Sequence, residues 1–261
     1  MTILDKIVAD KYKEIELKQS LVPIQNLEQT SLFDKKTISL LERLRSSNTG
    51  IIAEYKRRSP SKDIINNSET VEDVASGYEK AGACGMSILT DKKYFGGTLD
   101  DLLIGRQSCT LPLLRKEFII KEYQIIEAKA HGADLILLIA AILTNLEIKR
   151  FSELAKSLGL EVLLEVHNEE EINKSIMPSI DMIGVNNRNL KTFEVNLETS
   201  KQLAPKIPND FIKVSESGIS NILAIRELKE YGYQGFLIGE NFMKTDNPGK
   251  SAETFIKQLE Q

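Results

Sequence analysis

The sequence predicts an α/β fold in which eight parallel strands alternate with helices and close into a (β/α)8 barrel, preceded by a helical extension. Short apolar runs rich in Ile, Leu and Val alternate with longer, charged segments of helical pattern. One marker residue from each of eight runs gives intervals of 22 to 35 residues, each long enough for a strand and a crossover helix. A doubly wound open sheet is the alternative, but no GxGxxG follows the first strand, which favours the barrel.

The N-terminal segment is predicted to be helical, because Ile3, Leu4, Ile7 and Val8 recur near the helical period among charged residues. A polar stretch over residues 26–37 separates it from a second helix-like piece around residues 40–44. No Pro-rich linker or charge block marks a domain boundary. We therefore expect a single domain, with residues 1–48 as the extension and 49–261 as the barrel.

The eight apolar runs give the expected strand positions. They lie at residues 50–56, 86–90, 112–116, 135–139, 161–165, 182–186, 211–216 and 235–238. Segments 122–131 and 146–158 have the pattern of amphipathic helices. Gly132 and Gly159 follow these two segments at positions typical of helix C-caps.

Composition excludes several classes of protein. The 261 residues are 41% hydrophobic and 28% charged, as in ordinary globular proteins. A net charge of −4 argues against a general partner role for nucleic acid or an anionic membrane. Two cysteines without a CxxC motif and two histidines predict neither a disulfide scaffold nor a metal site. The longest apolar run has nine residues and no signal-peptide core is visible, so we expect a cytoplasmic protein.

Charged and amide side chains end several of the predicted strands. Glu54 and Lys56 are two residues apart at the end of the first strand and should face the same side. Lys116, Glu165 and Asn186 end the third, fifth and sixth strands. Polarity at any single strand end can simply mark where the chain leaves the core. Together, the residues predict a site rich in lysine and carboxylate at the barrel mouth.

Two glycines suggest an anion site. Gly218 follows the seventh strand and Gly239 follows the eighth. Glycine lets backbone N–H groups approach an anion closely, and barrels commonly bind phosphate in this region. Either glycine alone would more often mark a tight turn. The pair indicates a phosphorylated small-molecule ligand.

At these residues the chain resembles the indole-3-glycerol-phosphate synthase family over essentially its whole length. The matching stretches include IIAEYKRRSPSK, LTDKKYFGGTLDDL, PLLRKEFIIKEYQIIEA, LEVLLEVHNEEE, IGVNNRNLKTFEVNL, VSESGIS and GFLIGENFM. The resemblance implies ring closure, decarboxylation and dehydration of 1-(2-carboxyphenylamino)-1-deoxyribulose 5-phosphate to indole-3-glycerol phosphate, a step of tryptophan biosynthesis. It implies no metal or organic cofactor, and an N-terminal helix over the barrel mouth. Whether the chain is a monomer or a homodimer stays open.

The resemblance also implies roles for individual residues. Lys116 would be the general acid, Lys56 would pair with the substrate carboxylate, and Glu165 would take part in dehydration. Further active-site positions fall on Glu54, Asn186, Glu216 and Ser217. The positions expected to bind the substrate are Ser59, Gly218, Gly239 and Glu240 for the phosphate, Phe95, Phe118, Leu137 and Leu190 for the aromatic ring, and Arg188. His167 could relay protons, although a structural role is the more ordinary interpretation.

Three residues depart from the family pattern. Asp63 stands where the family usually has Gly, Glu117 where it usually has Asp, and Asn241 where it usually has Ser. None of these removes a proposed catalytic group. Two other functions are the alternatives. One is a phosphoribosylanthranilate isomerase, which needs a cysteine and aspartate acid–base pair, although neither Cys84 nor Cys109 ends a predicted strand. The other is a catalytically silent phosphate-sugar binding barrel or assembly subunit.

Overall fold

The computed structural model describes residues 2–190 and 192–261. In these residues eight strands form a closed barrel in chain order, and every neighbouring pair is parallel, including the closing pair. The predicted barrel is therefore confirmed. The strands are β1 Ile51–Tyr55, β2 Gly85–Leu89, β3 Leu113–Lys116, β4 Leu135–Ile139, β5 Glu161–Val166, β6 Met182–Asn186, β7 Ile212–Glu216 and β8 Tyr233–Ile238.

Helices cover the outside of the barrel and form the extension. The extension holds α1 Ile3–Leu21, α2 Ile24–Glu28 and α3 Leu40–Ser46. The barrel helices are α4 Val71–Lys80, α5 Lys92–Phe95, α6 Leu99–Ser108, α7 Glu122–Ala130, α8 Asn145–Ser157, α9 Glu169–Ser175, α10 Glu198–Leu203, α11 Ile222–Glu230, α12 Glu240–Met243 and α13 Pro248–Glu260. Short 3-10 turns lie at Ala140–Ile142 and Ala204–Lys206. Across the described ranges, no helix combines the length and apolar character needed to cross a membrane.

The strands are buried on both faces, which explains why they appear in the sequence as continuous apolar runs rather than alternating ones. Inward side chains such as Ile52, Leu163 and Val214 form one cluster in the barrel interior. Outward side chains such as Ile88 and Ile136 pack with the helices in a second cluster. Each strand therefore contributes side chains to both layers of the core. The polar residues predicted to form the functional site lie at the C-terminal ends of the strands.

The extension reaches both ends of the barrel. Its helix α1 lies at the mouth, where Ile3, Leu4 and Ile7 line the cavity described below. Next, α2 packs against α7, and Thr30, two residues after α2, donates from Oγ1 to the Ala130 carbonyl at 3.1 Å.

Helix α3 closes the opposite, N-terminal end of the barrel. Its Leu40 and Leu44 belong to the interior cluster of the barrel. The Glu161 carboxylate at the start of β5 accepts the backbone N–H of Leu40 at 2.9 Å and of Leu41 at 3.1 Å. The expectation that the extension folds over the mouth is therefore right for α1, whereas α3 lies at the far end of the barrel.

Candidate active site

Four charged side chains, here called the charged floor, meet at the C-terminal ends of the odd-numbered strands. They are Glu54 of β1, Lys116 of β3, Glu165 of β5 and Glu216 of β7. Inward side chains from alternate strands form shared layers in such barrels, which is why these four come together. The Lys116 Nζ lies 2.5 Å from Glu216 Oε2, 3.7 Å from Glu54 Oε2 and 4.0 Å from Glu165 Oε2. One ammonium is thus surrounded by three carboxylates.

Burial and charge set the protonation of the charged floor. Burial alone would lower the pKa of Lys116, but the carboxylates of Glu216, Glu54 and Glu165 outweigh it and raise that pKa above its ordinary value. Burial raises the pKa of Glu216 to about 7, helped by the neighbouring charge of Glu165 and opposed by Lys116. Lys116 therefore stays an ammonium at neutral pH, while Glu216 exchanges its proton there.

Lys56 lies directly after β1, beside the charged floor. Its Nζ donates to Glu54 Oε1 at 2.6 Å, so the prediction that these two side chains share one side is confirmed. Burial of Glu54 would raise its pKa, but Lys56 and Lys116 outweigh burial and hold that pKa below its ordinary value. Glu54 is therefore a fixed anion between two lysines.

Two glycines make room for these carboxylates. A Cβ at Gly184 on β6 would collide with Glu216 Oε1, and a Cβ at Gly239 after β8 would collide with Glu54 Oε1. Overlap of this kind forces side chains off their preferred rotamers. Gly239 therefore has a steric reason for its place in the site, besides the close backbone approach expected from the sequence.

The polar rim of the cavity consists of Ser59, Gly218, Gly239 and Glu240, which all line it. Its backbone includes two consecutive left-handed residues, Ser217 with φ of 68° and Gly218 with φ of 77°. For serine this conformation is strained, and such strain persists where the surroundings enforce it. Asn187 holds this strained turn in place, because its Nδ2 donates to the carbonyls of Glu216 at 3.0 Å and Ser217 at 3.2 Å.

Positive charge also lies beside the polar rim. The Lys62 Nζ forms an ion pair with Glu240 Oε1 at 2.7 Å, and Lys244 lines the same end of the cavity. Lys62 is held there by two backbone hydrogen bonds of 2.9 Å between Ser59 and Lys62.

Arg188 extends from the loop after β6. Its backbone N–H donates to Asn186 Oδ1 at 3.0 Å, and its guanidinium donates to the Phe193 carbonyl at 3.2 Å. The residue pairs with Val195 in an isolated β-bridge. These contacts hold Arg188 and Asn186 together at the edge of the cavity.

The apolar wall of the cavity consists of Phe95, Phe118, Leu137 and Leu190. The rings of Phe95 and Phe118 have centroids 6.0 Å apart at an angle of 37°. Such tilted pairs are favourable aromatic contacts and leave ring faces available to a ligand. The first residues of α1 extend this wall over the mouth.

A buried lysine anchors α1 in this position. The Lys11 Nζ lies 2.9 Å from Asp91 Oδ2, 3.1 Å from Glu117 Oε1 and 2.7 Å from Glu14 Oε2. Asp91 follows β2 and Glu117 follows β3, so one side chain ties the helix to two loops of the mouth. The departure at Glu117 thereby has a structural role, since its carboxylate reaches the extension.

The other two residues that depart from the family pattern, Asp63 and Asn241, have smaller structural consequences. Among the described non-glycine residues, a positive φ occurs at Phe193 and Ser217, so Asp63 does not adopt the left-handed conformation that would favour glycine. Asn241 lines the cavity, and its Nδ2 donates to the Ser220 carbonyl at 3.3 Å.

All the predicted catalytic and substrate-binding residues line one cavity of about 530 Å³. Sequence reasoning missed the lining residues Ile3, Leu4 and Ile7, although the apolar period of α1 and its expected position were the signals available. It also missed Asn187, whose support of the strained turn has no signature in the sequence. The described lining residues include neither Cys84 nor Cys109, which removes the cysteine that an isomerase would need.

A family model described as indole-3-glycerol phosphate synthase matches residues 4–255. The chain belongs to the indole-3-glycerol phosphate synthase family. A protein of that name from Bacteroides thetaiotaomicron is 46% identical over 258 residues, which cover 99% of each chain. Another from Campylobacter jejuni subsp. doylei is 39% identical over 97% of this chain and 100% of its own. The resemblance seen in the sequence motifs is confirmed.

Solved structures support the fold at greater distance. Thiamine phosphate pyrophosphorylase from Pyrococcus furiosus superposes with a TM-score of 0.59 at 17% identity, covering 81% of this chain and 97% of its own. The tryptophan synthase a2b2 complex from the same organism contains a chain with a TM-score of 0.56 at 14% identity, with the same coverages of 81% and 97%. These similarities show the fold alone.

Proposed function

We propose that this chain is a carboxy-lyase that converts 1-(2-carboxyphenylamino)-1-deoxyribulose 5-phosphate into indole-3-glycerol phosphate, releasing carbon dioxide and water. Membership of the synthase family supports the reaction. The observation that carries the assignment of the site is the ammonium of Lys116 among three carboxylates, between an aromatic wall and a polar rim. This arrangement matches a substrate with an aromatic ring at one end and a phosphate at the other.

In the first step Lys116 would act as general acid. As the aromatic ring carbon attacks the substrate carbonyl, the Nζ proton would pass to the carbonyl oxygen. The raised pKa of Lys116 supports this role, because the donor is fully protonated at neutral pH. A positioned proton donor contributes about 10²–10⁴ in rate.

Lys56 would bind the carboxylate on the substrate ring. Its Nζ lies beside the buried Glu54 and faces the cavity, with its side chain 18% exposed. Pairing holds the carboxylate near the reacting carbon until loss of carbon dioxide restores the aromatic ring. Glu54 and Asn186 would fix the lysine and the substrate hydroxyls.

Dehydration requires one group that takes a proton from the newly closed five-membered ring and one that gives a proton to the departing hydroxyl. Glu165 and Glu216 are the carboxylates in reach of Lys116 on the far side of the charged floor. The pKa of Glu216, near 7 because of burial, lets it exchange protons under ordinary conditions. We assign the acid–base work of this step to Glu165, Glu216 and Lys116 acting together.

The phosphate would bind at the polar rim. Backbone N–H groups of Gly218, Gly239 and Glu240 and the Ser59 hydroxyl are its proposed donors. Lys62 and Lys244 add positive charge at that end. Anions are bound by such backbone donors because the N–H dipoles converge without a side chain in between.

The test is to add the carboxyphenylamino-deoxyribulose phosphate to metal-stripped protein and follow the fluorescence of the indole product. Turnover by the native chain, lost in Lys116→Ala, would support both the reaction and the proposed acid. A native chain that binds the substrate and yields no indole would instead indicate a silent binding barrel.

A further inference from the structure

His167 lies just behind the charged floor, outside the set of residues that line the cavity. It follows β5 directly, and its side chain is 13% exposed. The ring stands between two carboxylates: Nε2 lies 3.4 Å from Glu165 Oε1, and Nδ1 lies 3.2 Å from Glu171 Oε2. Glu165 is therefore flanked by a titratable group that the mechanism above does not use.

Glu171 fixes the orientation of this ring. Its Oε2 also accepts the backbone N–H of His167 at 2.8 Å, and its Oε1 accepts from Asn168 Nδ2 at 2.9 Å. The backbone N–H of Glu171 donates to Asn168 Oδ1 at 2.9 Å at the start of α9. These two donors fix the carboxylate of Glu171, which can only accept, so Nδ1 carries a proton directed at Glu171.

The remaining nitrogen decides the charge of the ring. Among the described residues, His167 Nε2 is buried and has no hydrogen-bond partner, and the nearest acidic atom is Glu165 Oε1. With Nδ1 protonated, a neutral ring would direct its Nε2 lone pair towards a carboxylate, which is unfavourable. A proton on Nε2 turns the same contact into an ion pair. Burial lowers the pKa of His167, but Glu171 and Glu165 outweigh it and raise that pKa.

We propose that His167 is a positioning residue for Glu165: its imidazolium, held by Glu171, ion-pairs with Glu165 Oε1 and keeps Oε2 turned towards Lys116. The Lys116 Nζ lies 4.0 Å from that oxygen. The two oxygens of Glu165 thus face two cations. This inference rests on the proposed function, in which Glu165 serves the dehydration step.

The charges around the imidazole come from four elements. Glu165 on β5 and Glu171 on α9 face it directly, while Glu216 on β7 adds a third negative charge further away. Lys116 on β3 is a cation that shares Glu165 and Glu216 with the imidazole. A protonated His167 joins Lys56 and Lys116 as a third cation among four carboxylates: Glu54, Glu165, Glu216 and Glu171.

Nitrogen-15 NMR of the imidazole rings in the full-length protein tests the pairing directly. The chain has two histidines, and His131→Asn assigns the second signal. We expect the pKa of His167 to lie above the ordinary value of histidine, and to fall by about 1 to 3 pH units in Glu165→Gln and in Glu171→Gln. A neutral ring at pH 6, or a His167 pKa unchanged in Glu165→Gln, would overturn the proposal.

Kinetics test what the pairing does. Asn at position 167 can still donate to Glu171 but has no group at the Nε2 position, so His167→Asn should lower kcat about tenfold. This is less than the 10²–10⁴ expected of a direct proton donor. The acidic limb of the pH–rate profile should move to higher pH, because Glu216, whose pKa is about 7, loses a nearby cation that favours its ionised form, while KM changes little.

The matched control is His131→Asn, at the C-terminal end of α7, where the ring Nδ1 contacts the Glu127 carbonyl at 2.8 Å. It should behave like the native chain. An unchanged pH–rate profile in His167→Asn would reduce His167 to a structural role and contradict the proposal. If the native chain itself makes no indole, the proposed function fails, while the NMR titration still decides whether His167 and Glu165 are paired.

Discussion

The Lys116 ammonium and the Glu216 carboxylate lie 2.5 Å apart across the barrel axis, on strands β3 and β7. Four strand positions around the barrel separate the two residues, so they meet because their strands deliver side chains to the same interior layer. Their contact places a protonated donor against a carboxyl group whose pKa is about 7. The pair is the centre of the proposed chemistry and the first target for substitution.

Replacing Lys116 with Ala should nearly abolish turnover, with a loss in kcat of about 10²–10⁴, because no other ammonium lies at the centre of the described floor. Binding of a phosphate-bearing product analogue should change little, since Lys116 is not among the proposed phosphate donors of the polar rim. Product fluorescence and isothermal titration measure the two effects. The exposed Lys149→Ala serves as control, and substantial residual activity would exclude Lys116 as the main acid.

Activity should depend on pH through Glu216. Below about pH 7 its carboxyl group is protonated and the ion pair with Lys116 is lost, so kcat/KM should fall as the pH decreases. In Glu216→Gln the decrease of kcat/KM at acidic pH should disappear, and the rate at pH 8 should be lower than in the native chain. A pH–rate profile of both proteins settles the point, and an identical acidic limb would assign it to a different group.

Gly184→Ala should destabilise the protein by about 1–3 kcal/mol, because the added methyl group collides with the Glu216 carboxylate. The cost should shrink in a Glu216→Ala background, where the obstructing atoms are absent. Urea unfolding of the four proteins in this cycle gives the coupling energy. Equal costs in both backgrounds would show that Gly184 is needed for a reason other than space.

Lys11→Met should destabilise the docked α1 by about 3 kcal/mol at neutral pH, because Asp91 and Glu117 are left buried without their shared cation. Burial raises the pKa of Glu117, but Lys11 and Arg115, with hydrogen bonds from Phe118 and Thr90, together outweigh burial and lower that pKa. This stabilisation is present above the unfolded pKa of Glu117 and is lost as the pH falls through its lowered folded pKa, so the variant and the native chain should converge on acidification below that value.

The exposed Lys13→Met is the control for Lys11→Met, and protease cleavage within α1 reports its release from the barrel. Cleavage at the native rate at pH 7 would mean that the helix is held by its apolar contacts instead.

Deleting residues 2–8 should raise KM while leaving the unfolding transition nearly unchanged. The deletion removes Ile3, Leu4 and Ile7 from the cavity wall but keeps Lys11 and its ion pairs. Steady-state kinetics and thermal unfolding of the same preparation separate the two effects. A KM equal to that of the full chain would show that α1 covers the mouth without contributing to substrate binding.

Most of the barrel could be predicted from the sequence, because each strand is buried on both faces and so stands out as an apolar run between charged helices. The predicted strands 135–139 and 182–186 agree with the structure residue for residue. Helix α2 was missed, since five residues inside a polar stretch give too little periodicity to recognise.

Contacts between distant segments were beyond prediction. Lys11, Asp91 and Glu117 belong to three separate segments, and each alone resembles a surface charge. The same holds for His167, whose two carboxylate neighbours become visible as a cluster only when β5 and α9 are placed together. Local patterns could indicate which strand ends carry charge, but the pairing of those charges depends on the closed barrel.

The position of Leu40 and Leu44 in the barrel interior has a consequence for the order of assembly. These two residues are synthesised before any of the strands. The interior cluster to which they belong nevertheless includes Leu237 on β8, the last strand. Until β8 is synthesised, the N-terminal segment has no completed surface on which to dock. We therefore expect this segment to stay undocked in the nascent chain. Helix α3 should pack against the end of the barrel only after the ribosome has released the final strand.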